Sequence, residues 1–318
     1  MEEESFLDTK KISARIIINA ILIITLVILV LIVFLYLMFF YGIISYTNKY
    51  NSVSSSQCDE FVFNNKGIIK FPDNKYLYDR DLAESLMNLC ENVSHIYCVS
   101  IDNAPIPIGF KKDPIPLMID NTIYGVIYSN DNNEYLIVFI GTESMKEWRY
   151  DFEVSQVNPT ELNGYQDGML VHKGFYEIYS QIRNNIKIPS KAKIFITGHS
   201  LGGGLSTLCT FDLQSIKNNN YNIYHYNFAS PRVGNKMFVD RFNKIAHYTI
   251  RINNTEDIIP QTPPAYFLDY QYEHVGQNFV FTSMLDSLDD NHVKAYLTLP
   301  KCSEVARCEL LLDELDLI

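Results

Sequence analysis

From Lys173 onward the apolar pattern switches repeatedly between helical and strand periods, and this alternation limits the fold more than any other feature of the chain. Helical spacing over 175–188, 201–216 and 235–246 is interleaved with short, β-rich apolar runs over 193–198, 222–230 and 247–252. Strands separated by helices must be joined by crossovers, so the segment predicts βαβ units and a mainly parallel sheet of the α/β class. Upstream, the runs 122–128 and 135–141 flank Ser129-Asn130-Asp131-Asn132-Asn133, a hairpin signal. Leu82, Leu86, Leu89 and Val93 fall at helical spacing behind Asp79 and Asp81 and predict a packed helix. With 318 residues, 47% of them hydrophobic, the chain has enough apolar material for a sizeable core. Ligand sites in such sheets lie at the carboxyl ends of the strands, so the chemistry is expected just after each strand.

The N-terminal part follows different rules. No charged residue occurs from 16 to 48, and 20–44 is almost wholly Ile, Leu, Val, Phe, Met and Tyr. A helix over 20–44 would reach roughly 37 Å, against a hydrocarbon core of about 30 Å. The expectation is one transmembrane helix over 16–44. A cleaved signal peptide is the alternative, but the run exceeds an ordinary signal core and no A-x-A-like site follows it. Lys10, Lys11 and Arg15 precede the run and only Lys49 closely follows it, which predicts a cytosolic 1–15 and a lumenal or extracellular remainder, on a viral or host membrane. Residues 45–57, with Ser52 and Ser54-Ser55-Ser56, read as a polar tether, leaving 58–318 as one folded domain.

Charge and cysteine usage exclude several functions. The net charge is -11, with 26 Lys plus Arg against 37 Asp plus Glu, so nucleic acid is not an expected partner. The six cysteines follow no CxxC spacing and lie near no paired histidines, so no metal site is expected. Cys90 with Cys98 and Cys302 with Cys308 are local disulfide options, and Cys209 reads as a buried thiol. Asn92-Val93-Ser94 and Asn253-Asn254-Thr255 match the glycosylation sequon.

Directly after the strand ending in Ile194-Phe195-Ile196-Thr197 stands Gly198-His199-Ser200-Leu201-Gly202, a G-x-S-x-G in strand, turn, helix context. The glycines let a tight turn close and hold the Ser200 hydroxyl where a base and a carbonyl carbon can both reach it. A serine needs a histidine base, and the histidine needs a carboxylate that fixes its tautomer. The acid is expected at the end of a later strand, where Asp257 is preferred and Glu256 is the alternative. Downstream of it stand His274 and His292, and the other five histidines come too early in the chain.

These residues stand among further motifs: Phe139-Ile140-Gly141-Thr142 with Trp148 and Asp151, Val171-His172-Lys173-Gly174-Phe175, Ser230-Pro231-Arg232-Val233-Gly234-Asn235 and Asp257-Ile258-Ile259-Pro260. In this order and spacing, over about 79–298, the chain resembles the fungal-type, or class 3, triacylglycerol lipases of the α/β-hydrolase fold. The resemblance implies that His292, with Tyr296 behind it, is the catalytic base and that His274, in His274-Val275-Gly276, is not. It implies Thr142 and the Leu201 N–H as the oxyanion hole, and His172 and His199 as packing or hydrogen-bonding residues. It also implies a short helical lid near 144–152, with Met145, Trp148 and Phe152 as its apolar stripe, although a buried core tryptophan reads equally well there. The expected function is a membrane-anchored serine hydrolase that cleaves carboxylic esters of glycerolipids through an acyl-enzyme, without a cofactor. A phospholipase A, a mono- or diacylglycerol lipase, or an idle lipid-binding module are the alternatives. The expected partners are a lipid ester and the bilayer, and the sequence says nothing of oligomeric state.

Overall fold

The computed structural model describes residues 18–19, 21–33, 78–96, 101, 106–111, 113–141 and 154–301. The chain divides into two units, each described by itself. In the N-terminal unit, residues 18–19 and 21–33 are helical, with Ile21 to Val33 at 49–62% exposure wherever the side chain is a large hydrophobic. Among the described residues no helix is long and apolar enough to cross a membrane. The expected transmembrane helix over 16–44 is therefore not supported by the structure as a complete span. Residues 1–15, 34–44 and the tether 45–57 lie outside the described residues.

The second unit is built on a seven-stranded sheet: β1 (Ile115–Ile119), β2 (Thr122–Ser129), β3 (Glu134–Phe139), β4 (Lys193–His199), β5 (Asn222–Phe228), β6 (Thr249–Asn254) and β7 (Gln277–Phe281). The strands lie side by side in chain order. The first two pairings are antiparallel, and β3 through β7 run parallel, with Phe139 opposite Gly198 and Phe228 opposite Ile252 in register. This is the expected α/β class with a mainly parallel sheet. The helices that make the crossovers are α2 (Lys173–Ile182), α3 (Leu201–Gln214) and α4 (Lys236–Ile245); α1 (Arg80–Ser94) precedes the sheet and α5 (Leu288–His292) follows it.

Side-chain alternation along the strands separates two cores. Leu136 and Val138 of β3 join Leu86, Met87 and Val93 of α1 on one face, whereas Ile137 and Phe139 join α2, α3 and α4 on the other. α1 forms as expected, its first turn capped by the Asp79 carboxylate, which accepts the Leu82 N–H at 3.0 Å. α3 is buried all round, from Leu201 to Leu213, because the sheet lies on one side and α2 and α4 on the other. Its one carboxylate, Asp212, is neutralised inside: Arg183 donates to both its oxygens at 3.0 Å, and it also accepts from the Tyr179 hydroxyl and the Asn163 N–H.

Some expectations shift. The helix expected over 175–188 ends at Ile182 and continues as one 3₁₀ turn, Arg183–Asn185, where Arg183 turns in to meet Asp212. The two outer strands β1 and β7 lack a clear strand pattern in the sequence: Pro116 breaks it in one, and Gln277-Asn278 opens the other. Cys90 is a free buried thiol, so it does not pair with Cys98, and Cys209 is a buried thiol as expected. Asn92 and Asn253 are both buried, so neither sequon presents its acceptor in the folded domain.

Candidate active site

Ser200 sits between the end of β4 and the first residue of α3, with φ 58° and ψ -124°. A non-glycine residue in that region stores about 1–3 kcal/mol of strain, which persists only where the surroundings enforce it. Here they do. The Ser200 N–H donates to the Phe228 carbonyl at the end of β5 at 3.0 Å, and its own carbonyl accepts the Gly203 N–H at 2.9 Å. The flanking glycines are required by contact: a Cβ on Gly198 would overlap the Gly202 carbonyl, and one on Gly202 would overlap that of Phe139. The Leu201 N–H opens α3, where the helix itself offers it no partner, and stands directly after Ser200.

Asp257 follows β6 and is 2% exposed. Its Oδ2 accepts from His292 Nδ1 and from the Tyr296 hydroxyl, both at 2.9 Å, and its Oδ1 accepts the Ile259 N–H at 2.9 Å. Burial pushes this carboxyl up, but the charge and hydrogen bond of His292, with the donors from Ile259 and Tyr296, outweigh it and hold the group below its ordinary value. With Nδ1–H given to Asp257, the His292 ring keeps a lone pair on Nε2, as a base requires. The Tyr296 hydroxyl also accepts the Asn254 N–H at 2.9 Å, so one buried phenol fixes both the carboxylate and the end of β6. Glu256, the alternative acid, accepts from the Thr255 hydroxyl instead.

His292 is tied to the turn that holds Ser200 through the residue before the serine. His199 Nε2–H donates to the His292 carbonyl at 2.7 Å, and the two rings lie 4.5 Å apart. Burial, with the nearby His292, pushes the His199 pKa down to about 3, so it stays a neutral donor. His274 is used elsewhere: its Nε2–H donates to the Pro260 carbonyl at 2.8 Å, and burial together with Arg251 and Arg232 holds it neutral. His172 caps α2, its Nδ1 accepting the Phe175 N–H at 3.4 Å. The structure thus brings His292 and Asp257 into contact and leaves His274 and His172 on backbone groups.

Thr142, Met145, Trp148 and Phe152 lie outside the described residues. The preceding Gly141 is described, and a Cβ built on it would meet the Ser200 Cβ at 3.6 Å, so the chain leaving β3 passes beside the nucleophile. The His199 brace was open to sequence reading only as a residue of its motif; its partner stands 93 positions away. No group of His, Cys, Asp and Glu able to hold a metal occurs among the described residues.

A mainly parallel α/β sheet with a strained serine at a strand-to-helix elbow and a buried Asp–His pair beyond the later strands defines the α/β-hydrolase class. Residues 136–267 match the lipase (class 3) family model. A lipase of Rhizomucor miehei is 31% identical over 157 residues, 46% of this chain and 41% of its own length. A phospholipase A1-II 1 of Oryza sativa subsp. indica is 30% identical over 43% of this chain and 41% of its own. A solved triacylglycerol lipase, described as having a serine protease triad as its catalytic centre, superposes with a TM-score of 0.51 at 26% identity, covering 63% of this chain and 78% of that one. The chain spans less than half the length of these two curated relatives.

Proposed function

We propose that the protein is a serine hydrolase that cleaves carboxylic esters of glycerolipids through an acyl-enzyme. The observation that carries this reading is the His292–Asp257 pair at 2.9 Å, braced by His199 against the turn that holds Ser200. His292 Nε2 takes the Ser200 proton as the hydroxyl oxygen attacks the ester carbonyl, Asp257 holds the imidazolium, and the alcohol leaves with that proton. Water, deprotonated by His292, then releases the fatty acid and restores the serine. The Leu201 N–H and Thr142 are assigned to the oxyanion, each donor contributing about 3 kcal/mol of barrier lowering. Met145, Trp148 and Phe152 are assigned to a lid that uncovers Ser200 at a lipid surface.

The relatives named as lipase and as phospholipase A1 support acylglycerols and phospholipids as the substrate classes. We further propose that the uncharged run 16–44 anchors the chain in a bilayer with 1–15 cytosolic and the catalytic domain lumenal or extracellular, supported by Lys10, Lys11 and Arg15 before it. A fluorophosphonate probe and p-nitrophenyl esters test the chemistry. Wild type is expected to label and turn over, and Ser200→Ala and His292→Ala to fail; equal background in all three would end the hydrolase reading. Resistance of the full chain to alkaline extraction from membranes tests the anchor, and full release would end that part.

A further inference from the structure

The acid and the base stand on two loops that the structure stitches together. Asn254 Nδ2 donates to the Ser283 carbonyl at 2.8 Å, Asn254 Oδ1 accepts the Ser283 N–H at 2.8 Å, and the Thr255 and Thr282 hydroxyls are hydrogen-bonded at 2.9 Å. Beyond this seam the loop after β6 and the segment leading through α5 turn large apolar side chains outward. Ile258, directly after Asp257, is 50% exposed, and Met284 and Leu288, shortly before His292, are 81% and 55% exposed. Scattered exposed apolar residues need no explanation, but a group of them on two joined loops beside a candidate site marks a surface that meets something apolar.

The charges on the same loops narrow what that surface meets. Glu256, Asp286, Asp289 and Asp290 are interspersed with the apolar side chains, whereas Lys294 is the only Lys or Arg in 254–258 and 282–294, and it pairs with Asp290 at 2.7 Å. An anionic lipid surface repels such a rim, at a cost of roughly a factor of five in affinity per uncompensated charge near the surface. A zwitterionic surface does not, and it offers ammonium groups at the depth where these carboxylates would lie. The anchor proposed above makes the bilayer the occupant. The uncharged run ends near 44, and a tether of 45–57 stretches at most about 45 Å, which would keep the domain within reach of the membrane.

We infer that the loops carrying Asp257 and His292 form a second membrane-docking rim, independent of the lid, in which Ile258, Met284 and Leu288 insert into zwitterionic lipid while the acidic residues exclude anionic surfaces. This deepens the proposed function by selecting the surface on which the site works, and it rests on that reading for the choice of the bilayer as occupant and for its rate measurement, whereas the quenching measurement stands apart from the chemistry.

The test uses the full chain in nanodiscs of phosphatidylcholine, or of phosphatidylcholine with about 30% phosphatidylglycerol, where each added anionic lipid raises the opposing surface potential. Brominated phosphatidylcholine is the quencher for a Met284→Trp variant, read against the native Trp148 baseline of wild type. The fluorescence of the introduced tryptophan is expected to be quenched in the zwitterionic discs and spared in the anionic ones at low salt, with quenching returning as salt screens the repulsion. In parallel, the rate on a long-chain ester in the disc is divided by the rate on a soluble short-chain ester. This ratio is expected to fall at least about tenfold in Met284→Ser/Leu288→Ser. Asp286→Asn/Asp289→Asn is expected to raise the rate on anionic discs by about fivefold or more.

Absence of quenching in phosphatidylcholine, or equal quenching in both discs, would overturn the rim. Burial of the introduced tryptophan that is independent of the quencher and grows with protein concentration would overturn it too, assigning the surface to a second copy instead. Failure of wild type on the soluble ester would overturn the hydrolase reading while leaving the quenching result to judge the rim.

Discussion

Two of the buried histidines make folding sensitive to mild acid, and the size of the effect follows from where they sit. His199 is 7% exposed and His225 is fully buried, and burial pushes the pKa of each down to about 3. The His225 Nε2–H donates to the Ser206 hydroxyl at 2.9 Å, Ser206 passes its own proton to the Gly203 carbonyl at 2.8 Å, and no residue of the domain answers His225 Nδ1 among the described contacts. Burial alone acts on His225, and at His199 it outweighs the favourable pull of the Asp257 carboxylate. In the unfolded chain an ordinary histidine titrates at about 6.5. Below that value the unfolded state binds protons that the folded state refuses, so stability rises with pH from about 3 to about 6.5 and is lost as pH falls through that window. Between about pH 7 and about pH 5 each histidine costs about 2 kcal/mol, and the pair about 4 kcal/mol, a large part of an ordinary 5–15 kcal/mol stability. The depressed carboxyl of Asp257 works in the same direction but only below the ordinary carboxylate range near 4, so the two effects separate on the pH axis. Urea denaturation of the full chain in detergent, followed by far-ultraviolet circular dichroism at several pH values, measures this directly. His274, which burial also holds neutral, adds to the loss in the same direction, and His225→Gln, which keeps the donor to Ser206 and does not titrate, is expected to remove about 2 kcal/mol of the loss between about pH 7 and about pH 5. A wild-type stability that stays flat over that range, or a His225→Gln slope equal to that of wild type, would refute the assignment of these rings as buried neutral groups.

Three further outcomes are expected. Tyr296→Phe removes a donor to the Asp257 carboxylate and the acceptor of the Asn254 N–H, and should lower kcat by about tenfold with KM retained, as measured on a soluble ester. Asp212→Asn breaks a buried pair whose side chains are 5% and 16% exposed, and should cost about 3–5 kcal/mol by chemical denaturation without moving KM in the fraction that stays folded. Gly202→Ala drives a methyl into the Phe139 carbonyl and should destabilise by at least about 3 kcal/mol, visible as a lowered melting temperature or loss of soluble protein.

The parts of the fold that could be read in the chain are those where local pattern and tertiary role coincide. Parallel strands such as β4, with Ile194, Phe195 and Ile196 all buried, read as short apolar runs because both faces are covered, and α3 announces itself because a glycine-rich turn must precede it. The outer strands carry weaker signals. β1 contains Pro116, tolerated because only one side of that strand must pair, and β7 opens with Gln277 and Asn278 because part of it meets solvent. The same division runs through the candidate site. Ser200 and Asp257 are legible because each closes a strand in a stereotyped turn, whereas the choice of His292 over His274 needed a resemblance, since spacing alone favours neither. Their difference is a matter of neighbours: His274 faces a backbone carbonyl between two arginines, and His292 faces a carboxylate already held by two other donors. Pro260 stands 14 positions from His274 and Asp257 stands 35 from His292, so these contacts depend on how β6 and α5 approach in space and not on any run of residues. The buried sequon at Asn253 makes the converse point. The motif is intact as a string, yet β6 carries it inside the domain, so a local pattern is informative about chemistry only where the fold delivers it to the surface that the chemistry needs.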